Sequence, residues 1–373
     1  MTLRLDQVSK RVGRTEHLYP IDLELHPGLN VLIGPTLAGK TSLMRLMAGL
    51  DRPSSGRIVV DGRDVTGDPI QKRSVAMVYQ QFINYPSFTV YANIASPLRL
   101  AGLNKADVER RVMEVATLLH LEPFLKRLPG ELSGGQQQRT AIARALVKDA
   151  ALLLFDEPLV NLDYKLREEL RAEMRDIFQR RQAVVVYATT EPLEALLLGG
   201  TSTVLDAGRL LQHGPTLAVY HQPATVRAGQ IFSDPPMNTI SGRVEDGIAR
   251  LGEHIRVPLA GHLTGLAPGR YRFGVRASHL FIAPGSAEDV TITAVTELAE
   301  VNGSETFIHI THHGTYWVVQ EEGVHSLGLG KEIQIYVHPR HLFVYDEADR
   351  LIAAPRIEQR LAADVPEVGH GPH

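Results

Sequence analysis

The chain has 373 residues, 44% of them hydrophobic, a net charge of −3 and no cysteine. That length suffices for two or three domains with ample core. Disulfides and thiolate-ligated metal are excluded, and a near-neutral charge with scattered Lys and Arg offers no basic footprint for nucleic acid. No apolar run reaches about 18 residues and no charged-then-apolar leader precedes the first strand. The expectation is a cytosolic protein that attaches to a membrane only through partners.

In chain order, Leu29-Asn30-Val31-Leu32-Ile33 reads as a buried strand, and Leu43, Leu46, Met47 and Leu50 follow at helical spacing. Between them Gly34, Pro35, Thr36, Leu37, Ala38, Gly39, Lys40, Thr41 and Ser42 fit the G-x-x-x-x-G-K-S/T phosphate-binding loop. Glycines let successive N–H groups turn inward at phosphate oxygens, and the helix N-terminus adds its positive end. Lys40 is expected to meet the β- and γ-phosphates and the Thr41 hydroxyl to ligate Mg²⁺.

Val108, Val112, Val115, Ala116 and Leu119 form one apolar helical stripe, and no strong strand pattern interrupts residues 88 to 150. Within that stretch Ser133 fits an N-cap. Gly134 and Gly135 leave N–H groups bare ahead of a helix carrying Ile142, Ala145 and Leu146, which makes a second anion-binding helix end. Ala151 to Phe155 then forms an apolar strand closing on Asp156 and Glu157. A strand buried on both faces ends in charge where it emerges at a site. Asp156 is expected to hold Mg²⁺ through water, and Glu157 to orient or deprotonate an attacking water. For these two residues alone, a charged pair that merely closes the strand is an open alternative.

Ser233-Asp234-Pro235-Pro236 breaks the pattern and marks the expected domain boundary. Beyond it, short alternating runs around Tyr271, Val290, Glu305 and Glu332, punctuated by Gly and Pro, suggest a small closed barrel. His312-His313 falls in an expected hairpin without further ligand spacing and reads as exposed polar surface.

The phosphate loop, the acidic strand end and Leu132-Ser133-Gly134-Gly135-Gln136-Gln137-Gln138-Arg139 together resemble ABC ATPases, whose signature sequence the last segment matches. In that family the signature, here Ser133 to Gln136, covers the γ-phosphate bound by the opposite subunit, which implies an ATPase dimer. Val78-Tyr79-Gln80-Gln81 looks like the family's Gln loop. The resemblance gives Gln80 a contact to Mg²⁺ and the lytic water, and gives its aromatic sequel a groove for a membrane partner's coupling helix. Asn161-Leu162-Asp163 matches the loop that crosses the dimer interface, with Val160 where the family usually has Ser.

Gly274 to Leu280 and Gly303 to Thr306 look like regulatory-domain sequences of one subfamily. Nearly end to end, the chain resembles the ATPases of bacterial carbohydrate importers of the maltose and glycerol-3-phosphate type. The resemblance implies an α/β P-loop ABC nucleotide-binding domain over 1–235 with a helical subdomain at about 88–150. A β-rich, OB-like (TOBE) regulatory domain then covers 236–373, with a disordered C-terminal tail. It further implies ATP and Mg²⁺, two permease subunits, a second ATPase subunit and, indirectly, a solute-binding protein, at the cytoplasmic face of the inner membrane and without nucleic acid.

Two positions depart from the family. Thr190 stands where a His contacts the γ-phosphate, and Thr is shorter, uncharged and without a directed N–H. Val12 lies where an aromatic stacks on adenine, leaving Tyr19 or His17 as substitutes if the loop folds back. The departures read either as variation tolerated in a homodimer or as half of an unequal pair, in which an intact signature serves a partner's ATP.

Overall fold

The computed structural model describes residues 1–160, 162 and 164–356, in two units that divide between Asp234 and Pro235. Asn161 and Asp163 of the expected interface loop, and the tail expected to be disordered, lie outside the described residues.

The first unit runs β1 (Leu3–Val12), β2 (Thr15–Leu25), β3 (Gly28–Ile33), α1 (Lys40–Ala48), β4 (Ser55–Val60), β5 (Arg63–Asp64) and β6 (Val75–Val78). It continues through α2 (Val90–Leu100), α3 (Lys105–Leu118), α4 (Gly134–Leu146), β7 (Leu152–Asp156), α5 (Tyr164–Arg180), β8 (Val184–Thr189) and α6 (Pro192–Leu198). It ends in β9 (Thr201–Asp206), β10 (Arg209–Pro215), α7 (Thr216–His221) and α8 (Val226–Ile231).

β7 shows why these runs are apolar throughout. It lies between β6 and β8 in a sheet ordered β10-β9-β3-β8-β7-β6, parallel except for the β10 edge. Leu153 and Phe155 enter one core with the helices, while Leu152 and Leu154 enter a second core with α1 and the strands β1, β2 and β4. Two covered faces require apolar side chains at both parities. Phe155 is fully buried, its ring 5.0 Å from that of Phe178, a burial of about 2–3 kcal/mol.

Parallel pairing also sets the position of the site. Ile33 is in register with Thr189, Asp156 with Ala188, and Val78 with Phe155. The loops after β3, β6, β7 and β8 therefore leave the sheet along one edge, where open α/β sheets bind ligands.

Between β6 and β7 the described residues contain helices and turns. Thr89 accepts from Ala92 N–H at 3.2 Å to cap α2, and Asn104 accepts from Asp107 N–H at 2.9 Å to cap α3. The α3 stripe of Val108, Val112, Val115 and Ala116 is buried, with Leu119 just beyond it. Beside the parallel sheet, β1, β2, β4 and β5 form a separate antiparallel sheet ordered β2-β1-β4-β5, which the alternation of strands and helices does not single out. The tight turn at Gly13-Arg14 makes the pairing of β1 with β2 local, so no crossover helix separates them.

The second unit is all-β. Its strands are β11 (Asn238–Glu245), β12 (Ile248–Leu251), β13 (Ile255–Pro258), β14 (Gly269–Val275) and β15 (Val290–Val301), then β16 (Glu305–His312), β17 (Thr315–Glu322), β18 (Glu332–Val337), β19 (Phe343–Tyr345) and β20 (Leu351–Ala353). Where one small closed barrel is expected, they form two antiparallel sheets, β13-β12-β11-β14-β19-β20 and β17-β16-β15-β18. Both contribute to one core that includes Ile240, Val244, Phe273, Ile292, Ile308 and Trp317. Alternation fixes each strand's inner face but not its neighbours. His312 is not exposed as expected: it is buried, its Nδ1 2.6 Å from Thr293 O. No metal-holding group of His, Asp or Glu occurs among the described residues.

Candidate active site

The loop between β3 and α1 folds tightly because its glycines leave no room for a side chain. A Cβ on Gly34 would lie 2.2 Å from Leu205 O, and one on Gly39 would lie 2.6 Å from Leu18 Cδ2. Gly39, at φ 101°, is the N-cap of α1, so that helix begins at Lys40. Leu37 holds φ 69° without being glycine and is 93% exposed.

Lys40 is 4% exposed, and its Nζ donates to Gly34 O at 2.8 Å and Pro35 O at 3.1 Å. The same Nζ lies 3.1 Å from Glu157 Oε1. Thr41 donates its hydroxyl to Asp156 Oδ2 at 2.8 Å, and Gln80 Nε2 donates to Glu157 Oε2 at 3.2 Å. Three separate stretches of sequence thus converge on one network. Glu157 turns the chain at φ 46°, and its N–H donates to Ala188 O at 3.1 Å. Asp156 Oδ1 is buried without a partner. Burial pushes the Asp156 carboxyl above its ordinary range, and the Glu157 charge adds to this, while the Thr41 hydrogen bond and Lys40 oppose it.

This network faces a cavity of about 640 Å³ that also takes in Ser42 and, from β2, Thr15, Glu16, His17 and Tyr19. Such a volume suits a small-molecule ligand. Val12 does not line it and is 53% exposed. His17 and Tyr19 reach the cavity as residues of β2 itself, not of a longer loop folding back. The Arg209 guanidinium lies 3.4 Å from the Tyr19 ring centroid and covers one face of it. A backbone relay joins the two ends: Tyr19 N–H donates to Gly208 O at 2.9 Å, and Gly208 N–H donates to Ala38 O at 3.0 Å.

Ser133 caps α4, accepting from Gln136 N–H at 3.4 Å while Gln136 Oε1 accepts from Ser133 N–H at 3.1 Å. A Cβ on Gly135 would meet Leu166 Cδ2 at 2.3 Å; Gly134 is open. None of Ser133 to Gln136 lines the nucleotide-sized cavity. Thr190 does not line it either. It shares a crevice of about 10 Å³ with Glu157, Arg167 and Glu194, room for about one water.

Under Thr190 lies a group that sequence reasoning missed. Glu194, 6% exposed, accepts from Tyr187 Oη–H at 2.5 Å and from the Thr189 hydroxyl. Burial raises its pKa, and those two hydrogen bonds lower it. Arg167 bonds Glu191 beside it at 2.6 Å. The available signal was a carboxyl inside the otherwise apolar α6, one turn past a strand that carries a Tyr in its apolar run.

A family model described as ABC transporter matches residues 18–160. The chain is 35% identical over 355 residues to the sn-glycerol-3-phosphate import ATP-binding protein UgpC of Paraburkholderia xenovorans (strain LB400), covering 93% of this chain and 98% of that protein. It is 33% identical over 353 residues to the protein of the same name from Pectobacterium atrosepticum, covering 94% and 98%. Among solved structures, it resembles the dimeric post-hydrolysis state of the ATP-binding cassette MJ0796 bound to ADP and Pi. That likeness has a TM-score of 0.53 and 26% identity, covering 57% of this chain and 98% of that one. No helix among the described residues is long and apolar enough to cross a membrane. Full-length relatives above 30% identity, with a phosphate loop and acidic strand end on one sheet edge, place the chain in the family of ABC transporter ATP-binding subunits, as an ABC transporter ATPase.

Proposed function

We propose that this chain hydrolyses ATP to power uptake of a carbohydrate or polyol, glycerol and glycerol 3-phosphate included, by a membrane importer. The observation that carries the reading is the convergence of Lys40, Thr41, Gln80 and Glu157 on one cavity, with Asp156 hydrogen-bonded to Thr41. The relatives named for sn-glycerol-3-phosphate import suggest the substrate class. Residues 1–235 act as the ATP-binding domain, with 88–150 its helical subdomain, and 236–373 as the regulatory domain. The assembly adds two permease subunits and a second ATPase at the cytoplasmic face of the membrane.

ATP enters with its phosphates against the N–H groups of Gly34 to Ser42 at the start of α1. Lys40 leaves Glu157 for the β- and γ-phosphates, which frees the carboxylate to accept a proton from water. Gln80, already bonded to Glu157, holds that water from the other side. A hard divalent cation suits the Thr41–Asp156 pair, because Asp156 Oδ1 is an unpartnered buried oxygen. When bound, Mg²⁺ neutralises charge on the phosphate oxygens. Ser133 to Gln136, which do not line this chain's own cavity, serve the nucleotide of the opposite subunit.

Thr190 favours an unequal pair over a homodimer, since no imidazole N–H reaches a γ-phosphate from that position. In that pair this chain is the catalytically weaker half. Reconstitution with permeases and this chain as the sole ATPase tests it. Hydrolysis coupled to glycerol or glycerol 3-phosphate should be absent, and should return when a second ATPase carrying the His is added. Coupled turnover at roughly 1 per second or faster by this chain alone overturns the unequal pair, and solute-independent hydrolysis in both assemblies overturns the importer role.

A further inference from the structure

Four arginines stand directly opposite one another across the second unit's six-stranded sheet. Arg256 pairs with Arg250, Arg250 with Arg243, and Arg243 with Arg270, in a single row over β13, β12, β11 and β14. Arg272, two residues along β14, continues the same face opposite Ser241. Directly opposed residues point the same way. The alternate positions, Val244, Ala249, Leu251, Ile255, Val257 and Phe273, fill the core on the other side. The arginines therefore share the outer face.

Neighbouring strands are about 4.8 Å apart, and like charges directly opposite destabilise a sheet. Two of the five arginines have a carboxylate: Arg243 is 2.6 Å from Glu245 and Arg272 is 3.3 Å from Asp349. Arg250, Arg256 and Arg270 are exposed and have no ion pair among the described residues. Three of the row's four cations are left uncompensated within the fold, an arrangement that an anion from outside would relieve.

The same face carries a cavity of about 520 Å³, lined by Arg243, Arg270 and Arg272 with Ser241, Asp346, Glu347 and Asp349, and Arg270 is the one of these three arginines without an ion pair among the described residues. This is the size of a small-molecule site, and guanidinium forks match phosphate oxygens bidentately. The carboxylates of Asp346, Glu347 and Asp349 in the same lining repel a continuous polyanion such as nucleic acid or an acidic protein face, and Glu347 is placed to accept a hydrogen bond from a hydroxyl group. We propose that this cavity binds a small phosphate-bearing molecule, its phosphate on Arg243, Arg270 and Arg272, at a site separate from the ATP cavity. The inference does not depend on the transported solute.

The full-length Lys40→Ala chain, whose phosphate loop is disabled, is the protein to test. Calorimetric titration with sn-glycerol 3-phosphate, inorganic phosphate and glycerol separates the sources. Saturable binding of either phosphate compound is expected, with none for glycerol, and the tighter of the two identifies ester or free phosphate as the ligand. Adding Arg243→Ser and Arg270→Ser should weaken that binding roughly tenfold or more. The melting temperature of this variant should be unchanged or raised at low salt, because repulsion is relieved. No saturable binding of either phosphate compound, the same affinity in the variant, or binding of a single-stranded oligonucleotide in their place overturns the proposal.

Discussion

Lys40 Nζ and Glu157 Oε1 lie 3.1 Å apart, so the cation at the base of the phosphate loop and the carboxylate at the end of β7 hold each other in place. Each is the other's counter-charge at the wall of the cavity, Lys40 buried and Glu157 partly exposed, and under the proposed function arriving phosphates must exchange with that pair. Lys40→Ala should abolish productive ATP binding while leaving the fold intact. Glu157→Gln should retain binding, lower this chain's already slow hydrolysis further, accumulate ATP-bound dimers, and impair transport less than the equivalent change in the partner ATPase. Nucleotide titration and size-exclusion with ATP check both; equal loss of affinity in the two variants contradicts the separate roles.

Ser133→Arg tests the cap of α4. The isolated chain should bind ATP normally, because Ser133 is not part of its cavity. Hydrolysis in the assembled importer should fall by roughly a hundredfold, since a long cation obstructs the bare N–H groups. Normal transport by this variant removes the proposed role across the interface.

The phosphate loop and the acidic strand end were readable because each is contiguous and lies beside an apolar run that names its element. The antiparallel sheet of β1, β2, β4 and β5 was not readable, since a β1 residue such as Leu5 faces both Leu23 and Ile58, partners set by packing alone. Glu194 escaped for a related reason: its partners Tyr187 and Thr189 look like ordinary strand residues until α6 folds back over them. The arginine row was hidden most completely. Its members, from Arg243 to Arg272, are spread over four strands, and overall composition averages their charge away.

Glu194 makes stability depend on pH. Its folded-state pKa is raised above the ordinary 4.5, chiefly by burial. The folded chain therefore holds the proton more tightly than the unfolded one, and stability falls as pH rises through the folded-state value. Glu194→Gln abolishes that titration. It should be more stable than the wild type at pH 8, with the gap closing as pH falls toward the ordinary 4.5. Glu194→Leu should cost about 3 kcal/mol, because the Tyr187 and Thr189 hydroxyls lose their acceptor. Urea denaturation across pH measures both; a gap that does not change with pH contradicts the raised pKa.

Leu37 holds a left-handed conformation that costs a non-glycine residue about 1–2 kcal/mol, and at 93% exposure it recovers almost nothing by burial. Leu37→Gly relieves the strain but gives the unfolded chain about 0.5–1 kcal/mol of extra freedom. The net expectation is a gain of about 0.5–1 kcal/mol with ATP binding retained. Denaturation with and without nucleotide checks it; a net loss of stability means the leucine makes contacts that the strain estimate leaves out.

The relay through Gly208 ties Tyr19 on β2 to Ala38 in the phosphate loop by two backbone hydrogen bonds, and a Cβ on Gly208 would sit 2.5 Å from His17 O. The β2 wall of the cavity and the loop proposed to meet the phosphates therefore move together. Under the proposed function, with the nucleobase resting on His17 and Tyr19, a base that fits poorly there should displace the phosphate loop as well as loosen its own hold. Discrimination among nucleoside triphosphates should then show in the hydrolysis rate as much as in occupancy, a poorly matched triphosphate filling the cavity yet failing to be spent.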